Sequence, residues 1–211
     1  MSDITKLYDA VLTGNHKLAA QLSQEALDAG VDPKLIVDKY MVPAMDEAGR
    51  RFEKNEFFVP ELLIAARAMK AAMALIRPRL AANKVEPAGR VVIGTVQGDL
   101  HDIGKNLVAS MLEGGGFEVI DLGVDVSPEK FLAACKEKGA NLIALSALLT
   151  TTMPGMKNVV QALDGSGLRE QVKVMIGGAP ITRKFADDIG ADGFSDNASG
   201  AVSEARRLVG K

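Results

Sequence analysis

The sequence predicts an α/β protein: an N-terminal bundle of four helices followed by a doubly wound parallel sheet of five strands. Three observations carry this. The first 80 or so residues space their apolar side chains at helical intervals and hold no strand signal. From Val91 onward, short runs rich in Val, Ile and Leu alternate with amphipathic helical stretches, the pattern of a parallel sheet with crossover helices. Between them, residues 77–90 hold two prolines, several charges and no clear apolar period. The expected domains are therefore a helical domain over 1–76, a linker over 77–90 and a sheet domain over 91–211.

Composition narrows the class of protein. The 211 residues carry a formal net charge of −2 and no basic stripe, which argues against a nucleic-acid partner. No apolar run is long enough to cross a bilayer, and the first residues lack the basic start and apolar core of a signal peptide, so a cytoplasmic protein without a membrane partner is expected. Cys135 is the single cysteine, which excludes a disulfide framework and reads as a small buried residue on a helix.

Within the helical part, Asn15 is placed to cap a helix ending near Gly30, with His16 in its first turn on the surface. Asp32-Pro33 supplies a cap and a first-turn proline for the next helix, which Pro43 should bend. Val59-Pro60-Glu61 opens a fourth, with Leu62, Leu63, Ala66, Met69, Met73 and Ile76 on its apolar side. In the second part the expected strands are 91–96, 118–122, 142–148, 173–176 and 193–195. The expected helices are 103–113, 128–138, 154–163, 182–189 and 201–208. At this size the flavodoxin-like strand order 2-1-3-4-5 is expected, which puts the topological switch point between strands one and three.

One of only two histidines, His101, falls in the turn after strand one, at the sheet edge where open α/β folds bind ligands. Asp99 stands two residues before it, within reach of one ring nitrogen. Such a contact fixes the tautomer and leaves the other nitrogen as a lone-pair donor suited to a metal. The same residues also suit a solvated loop, with Asp102 as the N-cap of the following helix. The neighbouring strand ends tip the balance. Strand three closes on Ser146 and a threonine-rich turn, and strand four on Gly177-Gly178, so hydroxyls and bare backbone meet the histidine turn at the switch point.

These residues carry a resemblance. The chain resembles the corrinoid-binding proteins of methyltransferase systems, including the cobalamin module of cobalamin-dependent methionine synthase and the free-standing corrinoid proteins of methanol, methylamine and methoxyl systems. Asp99-x-His101-x-x-Gly104, Ser146-x-Leu148 and Gly177-Gly178 match the family's DxHxxG, SxL and GG, and the resemblance spans nearly the whole chain. It implies a bound cobalamin or related corrinoid with His101 as the lower axial ligand of cobalt. Asp99 would polarise His101, and Thr152 would extend the relay. Ser146 would bond the displaced benzimidazole, and Gly177 and Gly178 would let the nucleotide tail pass. Leu100, Asp102, Ile103, Leu148 and Thr150 complete the implied cofactor-binding set. The helical domain would cap the upper face of the corrin through Phe52 and Val59, and would swing away for each transfer.

The implied function is that of a methyl carrier cycling between Co(I) and methyl-Co(III). It would be loaded by a substrate-specific methyltransferase, unloaded to a thiol or pterin by a second methyltransferase, and rescued by a reductive activase. The chain would turn nothing over alone. A cobalamin-dependent mutase subunit shares the sheet domain but would not need a helical cap. A cobalamin-dependent sensor shares both domains, yet usually adds a DNA-binding segment and a cap tryptophan, and this sequence has no tryptophan.

Overall fold

The computed structural model describes residues 4–211. Its contacts divide the chain into two compact units: residues up to Pro87 with Glu113–Gly116, and Ala88–Leu112 with Phe117–Lys211.

The first unit holds four helical rods among the described residues. Helix α1 spans Lys6–Leu12 and α2 His16–Asp28, the latter capped by Asn15, whose side chain accepts from Leu18 N at 3.1 Å. Asp32 caps the next rod in the same way, accepting from Lys34 N at 3.0 Å. That rod is continuous: α3 (Pro33–Ile36), a π turn (Val37–Met41) and α4 (Val42–Glu53). The π turn ends two residues before Pro43, whose missing N–H cannot close the ordinary helical bond, so the expected bend takes the form of a local widening. Helix α5 (Val59–Ala82) begins with the Glu61 carboxylate accepting from Phe58 N at 2.9 Å. Leu7, Ile36, Met45, Leu62, Met69 and Ile76 are fully buried and form the unit's core.

Helix α5 runs on through residues 77–82, where the sequence pattern suggests a linker. Pro78 lies inside it, and Arg77, Pro78 and Arg79 are all exposed. Leu80 is the one residue of this stretch that is not exposed, too little for an apolar period to announce a helix. The carbonyl that Pro78 leaves without a donor belongs to exposed Ala74, where water can serve it.

The second unit is an all-parallel five-stranded sheet in the order β2-β1-β3-β4-β5. The strands are β1 (Arg90–Thr95), β2 (Glu118–Asp121), β3 (Leu142–Ser146), β4 (Lys173–Gly177) and β5 (Gly193–Phe194). The helices between them are α6 (Ile103–Gly114), α7 (Pro128–Lys138), α8 (Pro154–Asp164) and α9 (Arg183–Ile189), with α10 (Ala198–Leu208) last. Val92, Val96, Phe131, Ile143, Leu145, Val159, Val174 and Ile176 are among the buried residues of one hydrophobic cluster. Cys135 lies in that cluster, where burial pushes its thiol up to about 11, so it is an inert packing residue.

The register decides what meets at the sheet edge. Thr95 pairs with Ser146, and Ser146 with Gly177, so the last residues of β1, β3 and β4 form one row. Strand β3 stops at Ser146, earlier than its apolar run suggests: Ala147 N still reaches Gly177 O at 3.4 Å, but the amides of Leu148 and Leu149 turn away from the ladder toward a buried carboxylate. Helix α10 starts earlier than expected because Asn197 caps it, accepting from Gly200 N at 2.7 Å.

Candidate functional site

Asp99 organises the edge of the sheet. It follows the turn Gln97-Gly98 after β1, its N–H donates to Val96 O at 3.1 Å, and its side chain is 0 % exposed. Its Oδ1 accepts from His101 N at 3.0 Å and lies 2.8 Å from His101 Nδ1. Its Oδ2 accepts from Leu148 N at 2.8 Å, Leu149 N at 3.4 Å and Thr152 Oγ1 at 2.7 Å. Burial alone would raise the Asp99 pKa. The hydrogen bonds from His101 N, Leu148 N, Thr152 and the His101 ring outweigh it and hold the carboxyl well below the usual carboxylate range.

An ionised carboxylate can only accept, so the proton between it and His101 belongs to Nδ1. The neutral ring then presents the Nε2 lone pair. No hydrogen bond reaches Nε2 from the described residues, and the ring is half exposed, at 51 % of its side-chain surface. The chain Thr152–Asp99–His101 therefore ends on a basic, accessible nitrogen. Thr95, fully buried at the end of β1, donates its hydroxyl to His101 O at 2.8 Å and pins the other side of the same residue.

Exposed apolar residues lie in the same two turns. Leu100 is 72 % exposed, Ile103 83 %, Leu148 42 % and Leu149 43 %, and these are all the exposed large hydrophobic residues among the described residues of the second unit. Two come from the histidine turn and two from the residues whose amides bond Asp99. An exposed apolar patch confined to one spot marks a binding surface. At Gly104, in the first turn of α6, an added Cβ would meet nothing within 4 Å, so that side of the turn is open.

The other expected site residues fall out as follows. Asp102 stands before α6 with its carbonyl accepting from Asn106 N at 2.8 Å, while its carboxylate takes the Asn106 side-chain amide at 3.1 Å. Ser146 ends β3, half-buried, and its carbonyl accepts from Val96 N at 3.0 Å. Thr150 is exposed and stands outside the relay, which uses Thr152. Gly177 and Gly178 have a reason within the fold itself. A Cβ on Gly177 would lie 3.0 Å from Ser195 O, and one on Gly178 would lie 2.0 Å from Ala147 O. Gly178 also has φ +139°, so only glycine lets the backbone after β4 approach the end of β3 this closely. Phe52 and Val59 belong to the first unit, on either side of its α4–α5 turn; Phe52 is half-buried and Val59 is 40 % exposed.

Two residues escape a reading of the sequence alone. Thr95 looks like any β-branched strand residue, and nothing local shows that its hydroxyl turns to His101. Lys105 is only 3 % exposed, its Nζ bonded to Asp121 at the end of β2 and to Asn106 Oδ1. Asp121 also accepts from Gly123 N at 2.8 Å, and Gly123 O from Thr95 N at 3.0 Å, so the buried lysine and its exposed carboxylate partner anchor the strand end behind the histidine turn. Here a signal existed: Lys105, Ala109 and Leu112 share the buried face at helical spacing.

Comparison with known proteins shows the family. Two models described as B12 binding domain match residues 89–205 and 3–77. The trimethylamine corrinoid protein 1 of Methanosarcina acetivorans is 44 % identical over 208 residues, covering 98 % of this chain and 96 % of that protein. The dimethylamine corrinoid protein 1 of the same organism is also 44 % identical, over 98 % of this chain and 93 % of its own length. Among solved structures, a chain of the methanol:cobalamin methyltransferase complex of Methanosarcina barkeri superposes with a TM-score of 0.86 at 28 % identity, covering 98 % of this chain and 79 % of that one.

Proposed function

From a chain that belongs to the B12-binding corrinoid proteins and takes cobalamin as its cofactor, we infer a methyl carrier in which His101 would be the protein's ligand to cobalt. The observation that carries this is the relay Thr152–Asp99–His101, ending on an accessible Nε2, with exposed Leu100, Ile103, Leu148 and Leu149 in the same two turns. The donor set fits the group. A neutral imidazole suits cobalt, the apolar side chains suit the face of a macrocycle, and the open side of Gly104 leaves room for one.

Bound cobalamin supplies the carrier chemistry, its cobalt taking up a methyl group in the Co(I) state and yielding it from Co(III). The chain's residues tune and position. Asp99 holds a proton on Nδ1 and so keeps Nε2 a good ligand. The Asp99 carboxylate, bonded to the ring through Nδ1, would also face any proton held at Nε2 when that atom binds no metal. Ser146, Gly177 and Gly178 line the strand ends that the nucleotide tail would follow. A methyltransferase would load the carrier, a second one would unload it, and a reductive activase would be its third partner. The two amine-named relatives support a methylated amine as the donor.

Reconstitution with cobalamin tests the reading. One cofactor per chain is expected, with nitrogen splitting in the electron paramagnetic resonance of Co(II) that changes when the protein's histidine is labelled with ¹⁵N. Splitting indifferent to the label, with binding intact, refutes the ligand assignment. With a partner methyltransferase and a methylated amine, demethylation should stop at one equivalent per carrier. Many turnovers without a second transferase would exclude a carrier.

Gly104→Ala should separate folding from binding. The new methyl meets no protein atom, and alanine favours helix over glycine by up to about 1 kcal/mol, so the apo-protein should be as stable or slightly more so. Cobalamin affinity should fall, at a cost of about 1–3 kcal/mol for a methyl forced into occupied space. Thermal melts and titration read the two effects, and unchanged affinity would place the cofactor elsewhere.

A further inference from the structure

We propose that Asp125 is a positioning residue for His101, acting through the backbone of the turn 98–101; this rests on the reading of His101 as the cobalt ligand. Asp125 lies in the segment after β2 and is exposed, and neither burial nor packing accounts for its conformation. Its φ is +52°, in the left-handed region that aspartate and asparagine tolerate better than most other side chains. Held there, it serves two peptide groups of the histidine turn, one on either side of the Gly98–Asp99 peptide. Its Oδ1 accepts from Gly98 N at 2.8 Å, and its own N–H donates to Asp99 O at 3.0 Å. The next residue, Val126, continues the seam by donating to Thr95 O at 3.0 Å.

These bonds act where the relay does not reach. The five contacts on the Asp99 carboxylate and the Thr95 hydroxyl on His101 O fix the side of the turn that carries the imidazole. Gly98, at φ +84°, has the freest backbone in the turn and is its entry point from β1. Asp125 ties that entry point and the carbonyl of Asp99 to the β2–α7 segment. With both ends tied, the Asp99 side chain, and through it the imidazole plane, has one orientation.

Three variants separate the parts of this argument. Asp125→Asn keeps an acceptor and tolerance of positive φ; Asp125→Gly keeps the conformation and loses the acceptor; Asp125→Ala loses both. In the apo-proteins, amide hydrogen exchange at Gly98 should be about tenfold or more faster in Asp125→Gly than in wild type, a bond to a charged acceptor having gone, and near wild type in Asp125→Asn. In the cobalamin-loaded proteins at one fixed pH, the share of Co(II) showing histidine splitting should fall in Asp125→Gly, fall further in Asp125→Ala, and be kept in Asp125→Asn. Unchanged Gly98 exchange in Asp125→Gly overturns the brace. Full splitting in wild type and Asp125→Gly alike overturns its action on His101 while leaving the ligand assignment intact. A wild-type protein without histidine splitting overturns the ligand assignment and this proposal with it.

Discussion

His101→Ala is expected to abolish the histidine-dependent splitting of the bound Co(II) cofactor while leaving the apo-protein folded. Half of the ring surface is already in solvent, and truncation removes one of the five hydrogen bonds to Asp99 while the backbone N–H of residue 101 still donates. The stability cost should therefore be about 1 kcal/mol, the net worth of a single bond. Loss of imidazole coordination should be complete, since the sequence holds one other histidine, His16, and it lies in the first unit. Spectra of the loaded variant and a melt of the apo-variant read the two halves. Persistent imidazole splitting would move the ligand to another residue, with His16 the single other histidine.

Asp99→Asn is expected to damage both fold and coordination, because both carboxylate oxygens are used as acceptors. With the amide nitrogen facing β3, the Leu148 N–H is left buried against another donor, at a cost of about 1–3 kcal/mol. With it facing the turn, His101 N loses its acceptor and Nδ1 must accept, which moves the ring proton to Nε2 and removes the lone pair. Neither orientation serves both sides. Cobalamin retention or methyl transfer should fall about 10–100-fold, the usual effect of losing the partner of a metal-bound histidine. The acid limb of stability should change too. The folded-state pKa of Asp99 is depressed, so its contribution is present above the ordinary carboxyl range, near about pH 4, and is lost as pH falls below it toward the folded value. The variant lacks that part of the slope. Identical melts and identical cobalt spectra for variant and wild type across pH would remove Asp99 from both roles.

Much of the architecture is legible in the sequence, because the relevant signals are local. Strand and helix alternate in 91–211 through apolar runs and periods that neighbouring residues spell out, and caps such as Asn15 and Asp32 announce helix starts by their own chemistry. Spacing also sets Asp99 two residues before His101, close enough to bond it in almost any turn. Where the sequence misleads, the missing quantity is environment. The solvated end of α5 shows no period because only Leu80 in it is not exposed, and β3 ends early because an acceptor outside its own run draws off the amides of Leu148 and Leu149.

The residues alone dictate the pairing of an aspartate and a histidine at a strand end, together with the order of elements that puts this end at a switch point. How the pair is held is settled only when the chain has folded: which hydroxyl completes the relay, which residue pins His101 O, and why Gly178 must be bare. Thr152 and Leu148 reach Asp99 across 53 and 49 residues of chain, and Asp125 reaches Gly98 across 27. The ionisation of a buried carboxylate depends on the sum of such donors, and their convergence is set by the register of β1 against β3, a relation between strands that neither strand contains alone.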